Sequence, residues 1–189
     1  MKYKIVLLLI TLAMVASLLT LACKEKKMEL RSPAFADGGV IPEKYTIDNG
    51  FDKAISPPLE WSNVPAGTRS FALVMEDLDV PPEYGRFIHW MLYNIPQEER
   101  SIAEGDIHDN AQYIPNSYSG YGMPQFECYG PPWPAGPHRY QFTLYAMKVE
   151  LVLTPKSYDD LMASVGEYSI DSATLIGVYG PAKTPQPGG

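Results

Sequence analysis

An all-β chain, folded as an antiparallel β-sandwich with one or two short peripheral helices, is the fold class this sequence predicts, on three observations. Alternating apolar and polar residues recur in runs of strand length, among them 70–77 and 138–149. Turn chemistry punctuates the runs, drawing on 18 prolines and 15 glycines. One segment, 158–165, carries a helix signature. Short strands broken by Pro/Gly turns, with few helices, make up sandwiches. At 189 residues, 46% of them hydrophobic and 20% charged, the chain suffices for one packed domain and is short for two.

Residues 1–22 stand apart from that pattern. Met1-Lys-Tyr-Lys is a basic start and Ile5 to Leu21 is almost wholly apolar, which is the pattern of a signal peptide. It ends in Leu19-Thr-Leu-Ala-Cys23, which resembles the lipobox of bacterial lipoproteins, with Thr20 where leucine is usual. The expectation is a lipidated Cys23, a tether over 23–30, a domain over 31–182 and a flexible tail over 183–189. An uncleaved anchor or a plain secretory signal are the competing readings. Loss of Lys2 and Lys4 with the leader leaves 13 basic against 22 acidic residues, a net charge of −9. Such a surface repels nucleic acid, so no nucleic-acid partner is expected. The expected location is the cell envelope, anchored to a membrane through the lipid. With Cys23 so occupied, Cys128 has no disulfide partner and reads as a buried thiol in preference to a reactive one.

Along the domain, 28–35 and 41–47 read as strands joined by Asp37-Gly-Gly39, which is hairpin chemistry. Ile55-Ser-Pro-Pro-Leu-Glu-Trp61 is extended, and its prolines assign it to a sheet edge or a pocket rim. Ser70 to Asp77 alternates cleanly, with Phe71, Leu73, Met75 and Asp77 on one face, and Leu78-Asp-Val-Pro-Pro82 turns the chain. Arg86 to Ile95 is apolar on both faces, with Phe87, His89, Met91 and Tyr93 on one and Ile88, Trp90 and Leu92 on the other, as in a central strand. From Pro96 to Cys128 the periodicity fades into a long loop of the kind that forms lids and binding segments. Tyr113, Tyr118 and Tyr121 in it read mainly as cover for the sheet, and His108 as surface decoration. Next comes Tyr129-Gly-Pro-Pro-Trp-Pro-Ala-Gly-Pro-His-Arg-Tyr140, whose prolines fix φ and remove donors, leaving a preset curve that reads as one wall of a pocket. His138 stands where that curve becomes the strand 138–149, sharing a face with Tyr140 and Phe142. Residues 151–153 read as a short strand, 158–165 as a helix ended by Gly166, and 174–179 as a last strand.

Four polar groups end or interrupt these apolar faces: Asp77, Asp79, His89 and His138. Polar groups so placed need partners. Spacing alone leaves open whether they find them in one another.

Three motifs bear on that question. They are Asp77-Leu-Asp-Val-Pro81, Phe87-Ile-His-Trp90 leading to Asn94-Ile-Pro96, and Gly130 to Tyr140. With 55–61, Val64-Pro-Ala-Gly67, Leu144-Tyr-Ala146 and Leu175-Ile-Gly-Val-Tyr179, they give the chain a resemblance to the phosphatidylethanolamine-binding protein family over about residues 31–180, in its bacterial branch similar to Raf kinase inhibitor proteins. The resemblance implies a β-sandwich with a small cavity for phosphate, acetate or a phosphoethanolamine head group. It maps that cavity onto Asp77, His89, the backbone of Gly130 and Pro131, His138 and Tyr140, with Asp79 in the same motif and Val80, Pro81, Tyr84 and Phe87 on the rim. The chain departs from the family at Leu78, where proline is usual, in a longer 120–129 segment, and at Pro132-Trp133, where many bacterial relatives have Cys-Pro.

The expected mechanism has Asp77 orienting one imidazole while a protonated His89 or His138 donates to the anion. The implied function is that of a binding protein with a regulatory role, without cofactor or metal. An exported inhibitor or interaction module acting on an envelope protease is the alternative. A hydrolase is the weaker reading, because no His-x-x-x-His, His-Glu-x-x-His or nucleophile-elbow pattern is present.

Overall fold

The structure, a computed structural model, describes residues 26–50, 53–106, 109–123, 129–132, 136–154 and 156–180. The leader, Cys23, His108, Cys128, Trp133 and the tail expected over 183–189 lie outside the described residues. In chain order the strands are β1 Glu29–Arg31, β2 Gly39–Val40, β3 Leu59–Ser62, β4 Ser70–Asp77, β5 Phe87–Pro96, β6 Ser101–Ile102, β7 Gln112–Tyr113, β8 His138–Met147 and β9 Ser169–Tyr179, with one helix, α1, at Tyr158–Tyr168 before β9. They form two sheets, β1-β3-β6 and β2-β9-β8-β4-β5-β7. Among the described residues, no helix is long and apolar enough to cross a membrane.

The alternation of β4, β5 and β8 is what layers the molecule. Phe71, Leu73 and Met75 of β4, with Trp90, Leu92, Phe142 and Leu144, face the small sheet and meet Leu30, Leu59, Trp61 and Ile102. Ala72 and Val74, with Ile88, Met91 and Tyr93, face the other way and meet Leu161 and Val165 of α1. The large sheet is therefore covered on both sides, which is why β4 and β5 carry apolar residues on both faces. Ser157 caps α1 by accepting from the Asp160 N–H at 3.2 Å, and the two side chains also meet. Ser157→Ala is expected to cost about 1 kcal/mol in a urea or thermal melt.

Several expectations are corrected. The sheets are not wholly antiparallel, since β2 runs parallel to β9. The 37–39 turn exists but joins no hairpin: β1 pairs with β3 in one sheet and β2 with β9 in the other. Its polar groups hold the turn to β9, the Gly38 N–H donating to Ile176 O and the Ile176 N–H to Asp37 Oδ1. Residues 41–47 form 3-10 turns at Glu43–Tyr45 and Ile47–Asn49 in place of a strand. The proline-led segment leads into β3, the middle strand of its sheet and not an edge. Of the run 28–35 read as a strand only Glu29–Arg31 is one; Met28 and Leu30 in it are buried in the core, and the Met28 N–H donates to Asp171. Residues 151–153 form no strand, because Asn94 takes both the N–H and the C=O of Leu151. Gly166 lies inside α1, which continues to Tyr168 and passes directly into β9.

The faces of β5 also differ from strict alternation. Two irregularities interrupt its pairing with β4: Met75 faces Trp90 while Glu76 faces Ile88, leaving His89 as the extra residue, and a second lies near Asn94, whose φ is 56°. A β-bulge rotates the strand beyond it. Ile88 consequently shares the helix face with Met91 and Tyr93, whereas Phe87 and His89 turn toward Tyr118 and Tyr140.

Candidate functional site

The end of the large sheet where β4 stops and β5 and β8 begin holds the polar groups. Asp77 lies opposite Tyr140 of β8 on one side and Phe87 of β5 on the other. His138, two residues before Tyr140 and so on its face, places Nδ1 2.7 Å from Asp77 Oδ2. Asp77 Oδ1 accepts from the Asp79 N–H at 2.8 Å. A carboxylate accepts, so Nδ1 of His138 is the nitrogen that donates.

His89 is held differently. Its Nδ1 lies 2.9 Å from Gly130 O, and the Gly130 N–H donates back to His89 O at 2.6 Å. With the adjacent Trp90–Tyr129 bridge, this clips the Pro/Gly wall to the bulge in β5. Asn116 also donates to His89 O, at 3.2 Å, and the Tyr118 hydroxyl donates to Pro131 O at 3.1 Å. A carbonyl has no proton to give, so Nδ1 of His89 carries the hydrogen. The ring is 2% exposed, and burial pushes its pKa down to about 4. Near neutral pH the imidazole is thus uncharged and Nε2 is bare; among the described residues Nε2 has no hydrogen-bond partner. The expectation of a protonated, donating imidazole therefore does not hold for His89 near neutral pH.

Around these groups lies a pocket of about 430 Å3, lined by Asp77, Val80, Pro81, Tyr84, Phe87, His89, Tyr118, Tyr121, Met123 and His138. Phe87, His89 and Tyr118 form an aromatic wall, with ring centres 4.9 to 5.6 Å apart. Tyr84 and Tyr121 stand exposed at the mouth. Tyr140 is fully buried against both imidazoles, its hydroxyl without a partner among the described residues. Burial first, and the Asp77 charge second, raise its pKa well above the ordinary tyrosine range, so it keeps its proton.

The structure thus brings Asp77, Pro81, Tyr84, Phe87, His89 and His138 to one pocket and sets Tyr140 behind them. It does not bring Asp79. That carboxylate accepts from Arg139 Nε at 2.9 Å, from Nη2 at 2.8 Å and from the Arg139 N–H at 2.8 Å, and the Arg139 side chain holds its pKa down at about 2. Gly130 and Pro131, expected to offer backbone to a ligand, are engaged within the protein: both polar groups of Gly130 by His89, and the carbonyl of Pro131 by Tyr118. Tyr118, Asn116, Tyr121 and Met123 were not singled out by the sequence as site residues. One signal was available: Asn116 caps the 3-10 turn Ser117–Tyr121 by accepting from the Tyr118 N–H, and asparagine before a Ser/Gly-containing turn is a capping pattern. Among the described residues, no group of three or more His, Cys, Asp or Glu is placed to hold a metal ion.

Comparison with known proteins places the chain in a family. A family model described as phosphatidylethanolamine-binding protein matches residues 31–180. The UPF0098 protein of Methanothermobacter thermautotrophicus is 37% identical over 154 residues, covering 80% of this chain and 98% of that protein. The UPF0098 protein of Chlamydia pneumoniae is 40% identical over 156 residues, with the same two shares. The crystal structure of a phosphatidylethanolamine-binding protein homologue from Chlamydia trachomatis superposes with a TM-score of 0.70 at 34% identity, covering 82% of this chain and 98% of that one. Escherichia coli YbcL, described as a new member of the mammalian PEBP family, has the same TM-score at 24% identity and shares the fold. On the family match and on these identities, the chain belongs to the phosphatidylethanolamine-binding protein family.

Proposed function

We propose that the protein is a binding protein and not an enzyme, built on the family's β-sandwich, whose pocket takes a small anion or a phosphate head group of the phosphoethanolamine kind. In this reading it works in the cell envelope, held to a membrane through lipidated Cys23. The observation that carries the proposal is the meeting of the Asp77–His138 pair, 2.7 Å apart, with a buried His89 in one aromatic-walled pocket. His138 supplies a donor that Asp77 orients, and the rings of Phe87 and Tyr84 offer faces to an ammonium group, an attraction of roughly 0.5–2 kcal/mol. The family's name points to the same head group. Among the described residues no serine or cysteine lines the pocket, so neither imidazole has such a nucleophile there to activate.

Calorimetric titration with O-phosphoethanolamine is the test. Binding is expected to strengthen as the pH falls from about 8 to 5, and His138→Ala to weaken it about tenfold or more through the lost charge-assisted hydrogen bond. Phosphoester turnover that disappears in His89→Ala would favour a hydrolase instead.

A further inference from the structure

We propose that the pocket takes its anion in the singly charged, proton-bearing form, a phosphomonoester monoanion or dihydrogen phosphate, whose own O–H donates to Nε2 of His89. The inference rests on the anion-binding reading above and adds where the proton sits.

The geometry at His89 comes first. Nδ1 is committed as a donor to Gly130 O at 2.9 Å, so the ring can present to the pocket only its other nitrogen. That nitrogen is buried and unpartnered among the described residues, and in the neutral ring it is a lone pair. A fully deprotonated oxyanion would set lone pair against lone pair there, and a buried acceptor left unpaired is costly. A ligand hydroxyl removes the conflict.

Charge points the same way. No lysine or arginine lines the pocket among the described residues, and segments 124–128 and 133–135 contain none. Arg139, the cation next to His138 in sequence, is held by both oxygens of Asp79. The groups around His89 are Asp77 from β4, His138 and Tyr140 from β8, and Tyr118 from the 3-10 turn. Asp77 favours a proton on His89 and His138 opposes it, and burial outweighs both. With His138 protonated, the Asp77–His138 pair is neutral as a unit. Such a pocket has no net positive charge among its described lining residues, so each further negative charge on the ligand goes unbalanced and the singly charged form is favoured over the doubly charged one.

Four probes test this on the wild-type protein by calorimetry between about pH 5 and 8: inorganic phosphate, O-phosphoethanolamine, methylphosphonate and sulfate. The first two separate free phosphate from a head group. Phosphomonoesters lose their second proton near pH ~6, methylphosphonate loses it at higher pH, and sulfate has none to lose in this range. The pH midpoint of binding should follow the ligand, moving to higher pH for methylphosphonate. Sulfate should bind about tenfold or more weakly than dihydrogen phosphate. In the complex, the 15N resonances of His89 should retain the neutral Nδ1–H pattern. Sulfate equal to phosphate, one midpoint shared by all ligands, or an imidazolium at His89 would overturn the assignment while leaving anion binding intact. Silence from all four probes at every pH would overturn anion binding itself, and this assignment with it.

Discussion

Lowering the pH from about 6.5 to about 4 is expected to cost the folded domain about 3 kcal/mol through His89 alone. In the unfolded chain this imidazole takes up its proton near the ordinary value of about 6.5. In the fold, burial holds it to about 4. Between those values the unfolded state binds more protons, so stability rises with pH across the window and is lost as pH falls through it. Each unit of the difference is worth about 1.4 kcal/mol. Asp79 acts in a separate window: its lowered pKa gives stability that is present above about 3.8 and lost as pH falls through about 2. That share is small, because the Asp79–Arg139 pair is largely open to solvent. Urea unfolding at a series of pH values, for the wild type and His89→Asn, isolates the histidine. Asparagine retains an N–H near the position of Nδ1, so Gly130 O keeps a donor while the titrating group is gone. The variant's stability should lack the fall between pH 6.5 and 4, whatever its absolute value. Parallel curves for the two proteins would show that His89 titrates freely in the fold.

Much of the sheet was legible in the sequence, for a physical reason. β4 and β8 have eight and ten residues, and every other side chain meets the same core, so the alternation repeats often enough to be read. Where local chemistry had a distant partner, the reading failed. Asp37-Gly-Gly39 does turn the chain, but the groups that satisfy the turn belong to Ile176 in β9, and no local pattern announces that. Leu151-Val-Leu153 is a short apolar run of the kind that forms strands, yet the Asn94 side chain answers the Leu151 backbone where a neighbouring strand would. The faces of β5 were misassigned because a bulge adds a residue without leaving a mark in composition. The site followed the same division. Asp77, His89 and His138 were recognisable as polar groups on apolar faces, and the motifs tied them together. Their convergence depends on Asp77 facing Tyr140 across two strands, a register that one sequence does not encode locally. A histidine inside an apolar strand must find a partner or stay neutral, but which of these His89 does was not decided by the sequence, since its charge follows from how completely the pocket wall covers the ring.

That wall supplies the second large effect: Gly130→Ala is expected to destabilise the protein by about 1–3 kcal/mol, as overpacking of a filled core does. It should weaken anion binding as well. A Cβ at Gly130 would stand 2.6 Å from Asn116 Nδ2 and 2.7 Å from Tyr118 Cδ2, closer than real side chains approach. Gly130 is not among the glycines with positive φ, so alanine suits the backbone and the cost is one of space. Neither neighbour is free to give way. Asn116 is tied to His89 O and to the Tyr118 N–H, and the Tyr118 hydroxyl to Pro131 O. Pushing them aside therefore disturbs both the hydrogen bond to the carbonyl of His89 and the ring that walls the pocket. For a domain of this size, at about 2–4 °C per kcal/mol, the loss corresponds to a fall of about 2–12 °C in Tm. Gly136→Ala is the matched control in the same Pro/Gly loop: its Cβ meets nothing within 4 Å among the described residues, and its melt should stay close to that of the wild type. If the two variants melt together, the Asn116–Tyr118 wall is looser than its hydrogen bonds indicate, and His89 is not held by it.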